Sequence, residues 1–345
     1  MRTYYLLLGY LIPVRIPHNG FIHFRPDISE HEKRQYYASM DVSPKNYTLL
    51  KEERLELKIV YYNVDEGHLL IKAPSRREAY SVANAIRGLL SNLEGLFPDD
   101  RSDTFFLQEL TKIPQPNWSR EDLIKALKAN LTYPNERLFL ELELEKGYGV
   151  HKHNLDNLVK FLPFVIRDRD LRESLDHLLE SRFLVCGFMS GSYYMSHYRA
   201  DRSAMSHSQL EKIYLENCHR FETAFVAAFK GIERYFRVNQ IKEDRIERLF
   251  RNIKYDGVTF DTPTRRIFEI FSGLPKKTSY GELIAHFLRI RNAVAAHGNR
   301  EPPKELVVSE DSILEIQSFL WELIWKALET HATRGSELQK RSNNN

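Results

Sequence analysis

The sequence predicts an α+β protein: a mixed N-terminal domain with a mostly antiparallel sheet, followed by an antiparallel bundle of helices. Residues 1–165 alternate short β-rich apolar runs with helical patterns, whereas residues 207–333 carry helical periodicity throughout. The chain has 345 residues, of which 42% are hydrophobic and 28% are charged. That composition is typical of a globular protein, and the length is sufficient for two hydrophobic cores.

The N-terminal domain, residues 1–165, begins with strands and one amphipathic helix. Runs rich in Leu, Ile, Val and Tyr predict strands at Tyr4–Val14, Leu55–Val64 and Leu69–Ala73. Ser75 and Glu78 have the spacing of a capping box, which predicts the start of a helix that ends at Gly95. The buried positions of this helix are predicted to be Val82, Ile86, Leu90 and Leu93.

Two further elements are predicted in this domain. A helix is expected from Ser119 to Leu131. In Leu138–Glu145 leucines alternate with glutamates, which predicts a strand with one face in solvent. No motif in the domain indicates its role.

Residues 166–206 are predicted to be a bridging helix and a linker. Leu171–Leu184 has helical spacing, and residues 187–206 are rich in Gly, Ser, Tyr and His, as loops are. The aromatic residues of this segment, with Arg199 and Arg202, would also suit contacts to bases and phosphates. We favour the linker.

The helical bundle is predicted over residues 207–333. Ser208 and Glu211 form a second capping box signature. The long helix that follows has its buried stripe at Tyr214, Cys218, Phe221, Phe225, Ala228, Ile232 and Tyr235. A shorter helix is expected at 243–252, and Thr262-Pro263 is expected to open another, with Ile267, Ile270 and Phe271 inward.

The last two helices complete the bundle. Ser279 and Glu282 cap a helix with inner positions at Leu283, Phe287, Ile290 and Val294, and Gly298 ends it. The final helix, Ser312–His331, has inner positions at Ile313, Ile316, Leu320, Leu323, Ile324 and Ala327. Residues 334–345 are predicted to be a disordered tail.

Charge and cysteine content exclude several classes of protein. The net charge is only +3, so a basic surface for nucleic acid must be local. Cys186 and Cys218 lack the spacing of a disulfide framework or a zinc site.

The apolar run at the N-terminus is interrupted by Gly9 and Pro13, which favours a strand over a signal peptide, and no run approaches the ~20 apolar residues that span a bilayer. We therefore expect a cytoplasmic protein.

Arg291, Asn292 and His297 lie near the predicted end of the helix that Ser279 caps. In a helix, Arg291 and His297 would differ by about 240° around the axis and roughly 9 Å along it, on either side of Val294. An arginine binds phosphate oxygens bidentately, and a histidine transfers protons near neutral pH. This combination predicts a site for a phosphate.

The segment resembles the Rx4–6H motif of the HEPN superfamily, with Arg291 as the arginine, Asn292 as the polar residue that follows, and His297 as the histidine. The resemblance covers roughly residues 207–333. It implies a small helical bundle that usually dimerises and, in many members, a metal-independent ribonuclease without a cofactor. In one toxin branch a tyrosine follows the histidine one residue on. This chain has Asn299 there, so membership of that branch is not expected.

The resemblance also implies a mechanism. The ribose 2′-hydroxyl would attack the adjacent phosphate, with His297 as general base or acid, Arg291 stabilising the developing charge, and Asn292 orienting either group. A two-fold partner would bring a second such set to the same cleft. Further RNA contacts are assigned to the nearby basic residues Lys276, Lys277, Arg289 and Arg300.

Other interpretations stay open. His297 would also serve as a helix C-cap, and Arg291 as half of a surface salt bridge. The bundle would then be a non-catalytic dimerisation or RNA-binding module, or part of a scaffold that docks proteins. His151 and His153 with Asp156 suggest a metal site weakly, and a solvated turn is favoured. Residues 167–170, which alternate in charge, are predicted to form a surface network.

Overall fold

A computed structural model describes residues 4–8, 10–11, 47–51, 55–61, 67–93, 107–110, 148–149, 152–189, 207–253, 255, 257–264, 278–296, 308 and 310–343. These residues are mostly helical and include an antiparallel sheet, which agrees with the predicted α+β class. The chain divides into two compact units, Met1–Leu162 and Pro163–Asn345, with the boundary inside a helix.

The first unit contains a five-stranded antiparallel sheet. Its strands are β1 (Tyr4–Leu8), β3 (Tyr47–Lys51), β4 (Glu56–Tyr61), β5 (Gly67–Ala73) and β6 (Leu107–Leu110), in the order β3-β4-β5-β1-β6. β2 (Tyr10–Leu11) and β7 (Tyr148–Gly149) form a separate parallel pair. The strand positions predicted for β1, β4 and β5 are confirmed, whereas β3 and β6 were not predicted.

Helix α1 (Arg76–Leu93) packs against β1 and β5. As predicted, the backbone N–H of Glu78 donates to Ser75 Oγ at 3.2 Å, and the hydroxyl of Ser75 donates back to the Glu78 carboxylate at 3.0 Å. Three of the four predicted stripe residues, Val82, Ile86 and Leu90, are buried. The helix predicted from Ser119 and the strand Leu138–Glu145 lie outside the described residues.

Helix α2 (Lys152–Arg167) leads into the second unit, which is helical. The helices among its described residues are α3 (Arg169–Met189), α4 (His207–Tyr235), α5 (Ile246–Arg251), α6 (Tyr280–Ala296) and α7 (Glu310–Asn343), with a 3₁₀ turn at Glu243–Arg245. α3, α4 and α7 pack together, and α6 packs on α4 and α5. The predicted inner positions of α7, Ile313 to Ala327, are all fully buried.

Helices α3, α4 and α7 pack closely around Gly231 of α4. A Cβ added there would clash with the side chain of Leu320 and would lie 3.1 Å from the carbonyl oxygen of Ser174. A larger residue there would have to displace Leu320 and crowd the α3 backbone, so the close packing favours glycine.

Helix α4 ends in a Schellman turn. Val238 N donates to the Glu233 carbonyl at 3.0 Å, and Arg237 N donates to the Arg234 carbonyl at 2.8 Å. Arg237 has φ 59°, a left-handed conformation in which glycine is the usual residue. This turn carries both Glu233 and Arg237, around which the two sites described below are built.

Two predictions in this unit differ from the described residues. The predicted helix does not begin at Thr262 and Pro263, because the backbone of 262–264 pairs with 278–280: Tyr280 N donates to the Thr262 carbonyl at 2.8 Å, and Pro263 bridges to Ser279. Ile267, Ile270 and Phe271 lie outside the described residues. The tail predicted to be disordered from residue 334 instead continues α7 to Asn343, because extending an existing helix through residues such as Glu337, Leu338 and Lys340 needs no new nucleus.

Candidate functional site

The candidate arginine lies on α6, whose start and rotation are fixed by its sequence. Ser279 N donates to Glu282 Oε2 at 2.7 Å, and Glu282 N donates to Ser279 Oγ at 3.3 Å, which confirms the predicted capping box. The predicted inner residues Leu283, Phe287 and Ile290 are buried in the bundle. The residue after Ile290 therefore emerges at the edge of the packed face of α6.

Arg291 is held at this edge by three groups. Its Nη2 donates to Glu233 Oε1 on α4 at 3.0 Å, and its Nη1 donates to the side-chain oxygen of Asn292 at 3.1 Å. The guanidinium carbon also lies 5.2 Å from the ring centroid of Phe229, one turn before Glu233. These contacts confine both the position and the plane of the guanidinium.

Glu233 was not predicted as part of the site. Its side chain is only 9% exposed, and its Oε1 also accepts the backbone N–H of Ile241 at 3.0 Å. A buried carboxylate is tolerated when it is paired and hydrogen-bonded, and Glu233 has both kinds of partner. The only sequence signal is its position four residues after Phe229 on the buried side of α4.

The pairing changes the chemistry available to Arg291. The Glu233 carboxylate compensates its charge, and 18% of the arginine side chain remains exposed. A guanidinium has five N–H donors, and hydrogen bonds to Glu233 and Asn292 leave others for a ligand. The arrangement suits a fixed, directional donor of hydrogen bonds rather than a mobile cation.

The other predicted site residues differ in their position relative to Arg291. Asn292 is exposed beside Arg291. Arg289 is exposed but about 200° around the helix from Arg291, so the two do not share a surface. Arg289 instead lies near His286, whose pKa is lowered by burial and by that arginine. His297, Lys276, Lys277 and Arg300 lie outside the described residues.

Among the described residues, no group of three His, Cys, Asp or Glu side chains could hold a metal ion. Within the same part of the chain, none of the helices has the length and apolar character needed to cross a membrane. Comparison with known proteins found no matching family model, no matching curated protein and no matching solved structure.

Proposed function

We propose that the second unit is a HEPN-like helical bundle that acts as a metal-independent endoribonuclease. The observation that carries the proposal is the fixed guanidinium of Arg291, which is anchored by a buried carboxylate and joined to the exposed Asn292 near the end of α6. His297 follows Asn292 by five residues and completes the motif. We further propose a cytoplasmic role in antiviral or stress defence.

In this proposal Arg291 stabilises negative charge on the phosphate as the 2′-hydroxyl attacks. Hydrogen-bond donors that are already in position need not reorient as charge develops in the transition state, whereas water molecules must. Fixed donors therefore stabilise the transition state better than water does. The contact with Glu233 serves that purpose by holding the guanidinium in one orientation. His297 acts as general base or acid, and Asn292 orients the phosphate or the imidazole.

A homodimer is part of the proposal. One His297 cannot readily serve as base and acid in a single step, and a two-fold contact around the end of α6 would supply a second. Sedimentation of the active protein at micromolar concentration tests this arrangement. A dimer is expected, and a fully active monomer would exclude it.

The second candidate is a non-catalytic module that dimerises, binds RNA or docks proteins. The observation that favours it is the same ion pair, because an arginine that is mostly buried against a buried glutamate is also what a structural role requires.

Incubation of the full chain with mixed end-labelled RNAs in EDTA separates the two candidates. We expect cleavage that leaves cyclic phosphate ends and is lost in His297→Ala and reduced in Asn292→Ala. His219→Ala is the matched control, because His219 is an exposed histidine of α4 that is not part of the motif. Cleavage that persists in His297→Ala would refute the proposed chemistry, and RNA binding without any cleavage would favour the module.

A further inference from the structure

A second site lies in the same unit, in an open cleft where α2 meets α3. The cleft has a volume of about 490 Å³ and is lined by Phe164, Arg167, Asp168, Arg169, Asp170, Arg237 and His331. This volume is within the range of small-molecule sites, which is roughly 300–1,000 Å³. The residues come from the α2–α3 junction, the end of α4 and α7, so the fold brings them together from distant parts of the sequence.

One wall of the cleft is aromatic. The rings of Phe164 and His331 stack with centroids 5.1 Å apart and planes at 11°. Tyr255 packs edge-on behind His331 at 5.8 Å. Burial lowers the pKa of His331, which favours the neutral ring in this stack.

A network of charged side chains also lines the cleft. Arg237 Nη2 donates to Asp168 Oδ2 at 2.8 Å, and its Nε lies 3.4 Å from Asp170 Oδ2. Asp168 also accepts the hydroxyl of Tyr255 at 3.1 Å and caps α3 by accepting the backbone N–H groups of Asp170 and Leu171. Both oxygens of Asp168 are therefore engaged by donors of the protein. The surface network predicted for residues 167–170 is present.

Three arginines line the cleft beside these two aspartates. Arg169 is 79% exposed and pairs through Nε with Glu173 at 2.7 Å, which leaves its two Nη groups outside that hydrogen bond. Glu173 also pairs with Arg234 at 3.2 Å, so its charge is shared between two cations. The stacked ring of Phe164 and the exposed guanidinium of Arg169 thus line the same cleft.

We propose that this cleft binds a small phosphate monoester that carries a planar ring, of the size of a nucleoside monophosphate. The ligand's planar ring stacks on the face of Phe164 that is turned away from His331, and the phosphate accepts hydrogen bonds from Arg169 and Arg237. Arg237 supports this assignment independently, because it keeps a long cationic side chain at a left-handed position where glycine is less strained.

Titration of the full chain with AMP, inorganic phosphate and adenosine, followed by calorimetry, tests the cleft. AMP should bind saturably, with phosphate weaker and adenosine weakest. Arg169→Gln should weaken AMP binding about fivefold, the loss expected for an exposed charge-assisted contact. Phe164→Leu should weaken AMP but leave phosphate binding unchanged.

Arg251→Gln is the matched control. Arg251 is 72% exposed and pairs with Glu247 one turn away on α5, as Arg169 pairs with Glu173 on α3, but it lies outside the cleft. The control variant should bind AMP as the unmodified protein does. The absence of saturable binding of AMP, binding unaffected by Arg169→Gln, or equal losses in both arginine variants would each overturn the proposal. Melting curves of every variant establish that it is folded.

Discussion

Two arginines are held by ion pairs near the C-terminal end of α4, but their surroundings differ. Arg291 of α6 pairs with Glu233 of α4, whereas Arg237, just after α4, pairs with Asp168 and Asp170 at the start of α3. Arg291 is 18% exposed and pairs with a glutamate that is 9% exposed. Arg237 is 36% exposed and pairs with Asp168 and Asp170, which are 14% and 33% exposed. Because an ion pair is screened in water and strengthened when water is excluded, the two arginines should differ in what their removal costs.

The largest effect is expected for Arg291→Ala. The substitution leaves the Glu233 charge buried without its cation, and we expect a loss of about 3 kcal/mol in the free energy of unfolding. Urea denaturation measures it. Arg289→Ala, which removes an exposed arginine from the same helix, should change stability by less than about 0.5 kcal/mol.

Adding Glu233→Gln to Arg291→Ala sharpens this test. Glutamine keeps an oxygen for the backbone N–H of Ile241 and carries no charge, so the double variant should recover part of the stability lost in Arg291→Ala. If the double variant is less stable than Arg291→Ala alone, the unpaired charge is not the cause of the loss.

A smaller effect is expected at Arg237. Arg237→Ala removes two partly exposed ion pairs and keeps a Cβ in a left-handed conformation. Arg237→Gly removes the same pairs but relieves that conformation, so the glycine variant should be more stable than the alanine variant by about 1 kcal/mol. Thermal unfolding of the two variants compares them directly, and equal stabilities would mean that the turn is not strained.

The smallest effect on stability is expected for Asp176 on α3, a carboxylate that forms no ion pair with the other described residues. Its Oδ1 is buried and, among the described residues, has no hydrogen-bond partner, and burial raises its pKa to about 6. Since the folded state binds this proton more tightly than the unfolded state, Asp176 stabilises the fold below about pH 4, and that stability is lost as pH rises through 6.

Asp176→Asn should remove this pH dependence. The variant should gain about 1 kcal/mol over the unmodified protein at pH 7.5 and little at pH 4.5. Denaturation at the two pH values measures the difference. A gain of the same size at both values would show that the titration of Asp176 does not contribute.

Local sequence signals predicted the elements better than the site. Helices were predicted correctly from the capping boxes at Ser75 and Ser279 and from the buried stripe of α7. Both signals depend only on residues three or four apart in the sequence. β3 and β6 were not predicted, and both are short strands of 5 and 4 residues. β6 pairs with the distant β1, whereas β3 pairs with β4, the next strand in the chain.

The surroundings of the candidate site depend on tertiary contacts. Arg291 was predicted as a phosphate ligand, but Glu233 is 58 residues away in sequence, and no spacing rule links the two. Arg237 was not predicted as a site residue, for a different reason. Its left-handed turn is normally signalled by glycine, and here the signal is absent.

Arg291→Lys tests the central claim most directly, because lysine keeps the charge beside Glu233 but lacks the planar, forked donors of arginine. Single-turnover cleavage of RNA in EDTA should fall about 100-fold, while stability to urea stays within about 1 kcal/mol of the unmodified protein. Cleavage at the original rate would show that Arg291 only supports the bundle, and would contradict the account.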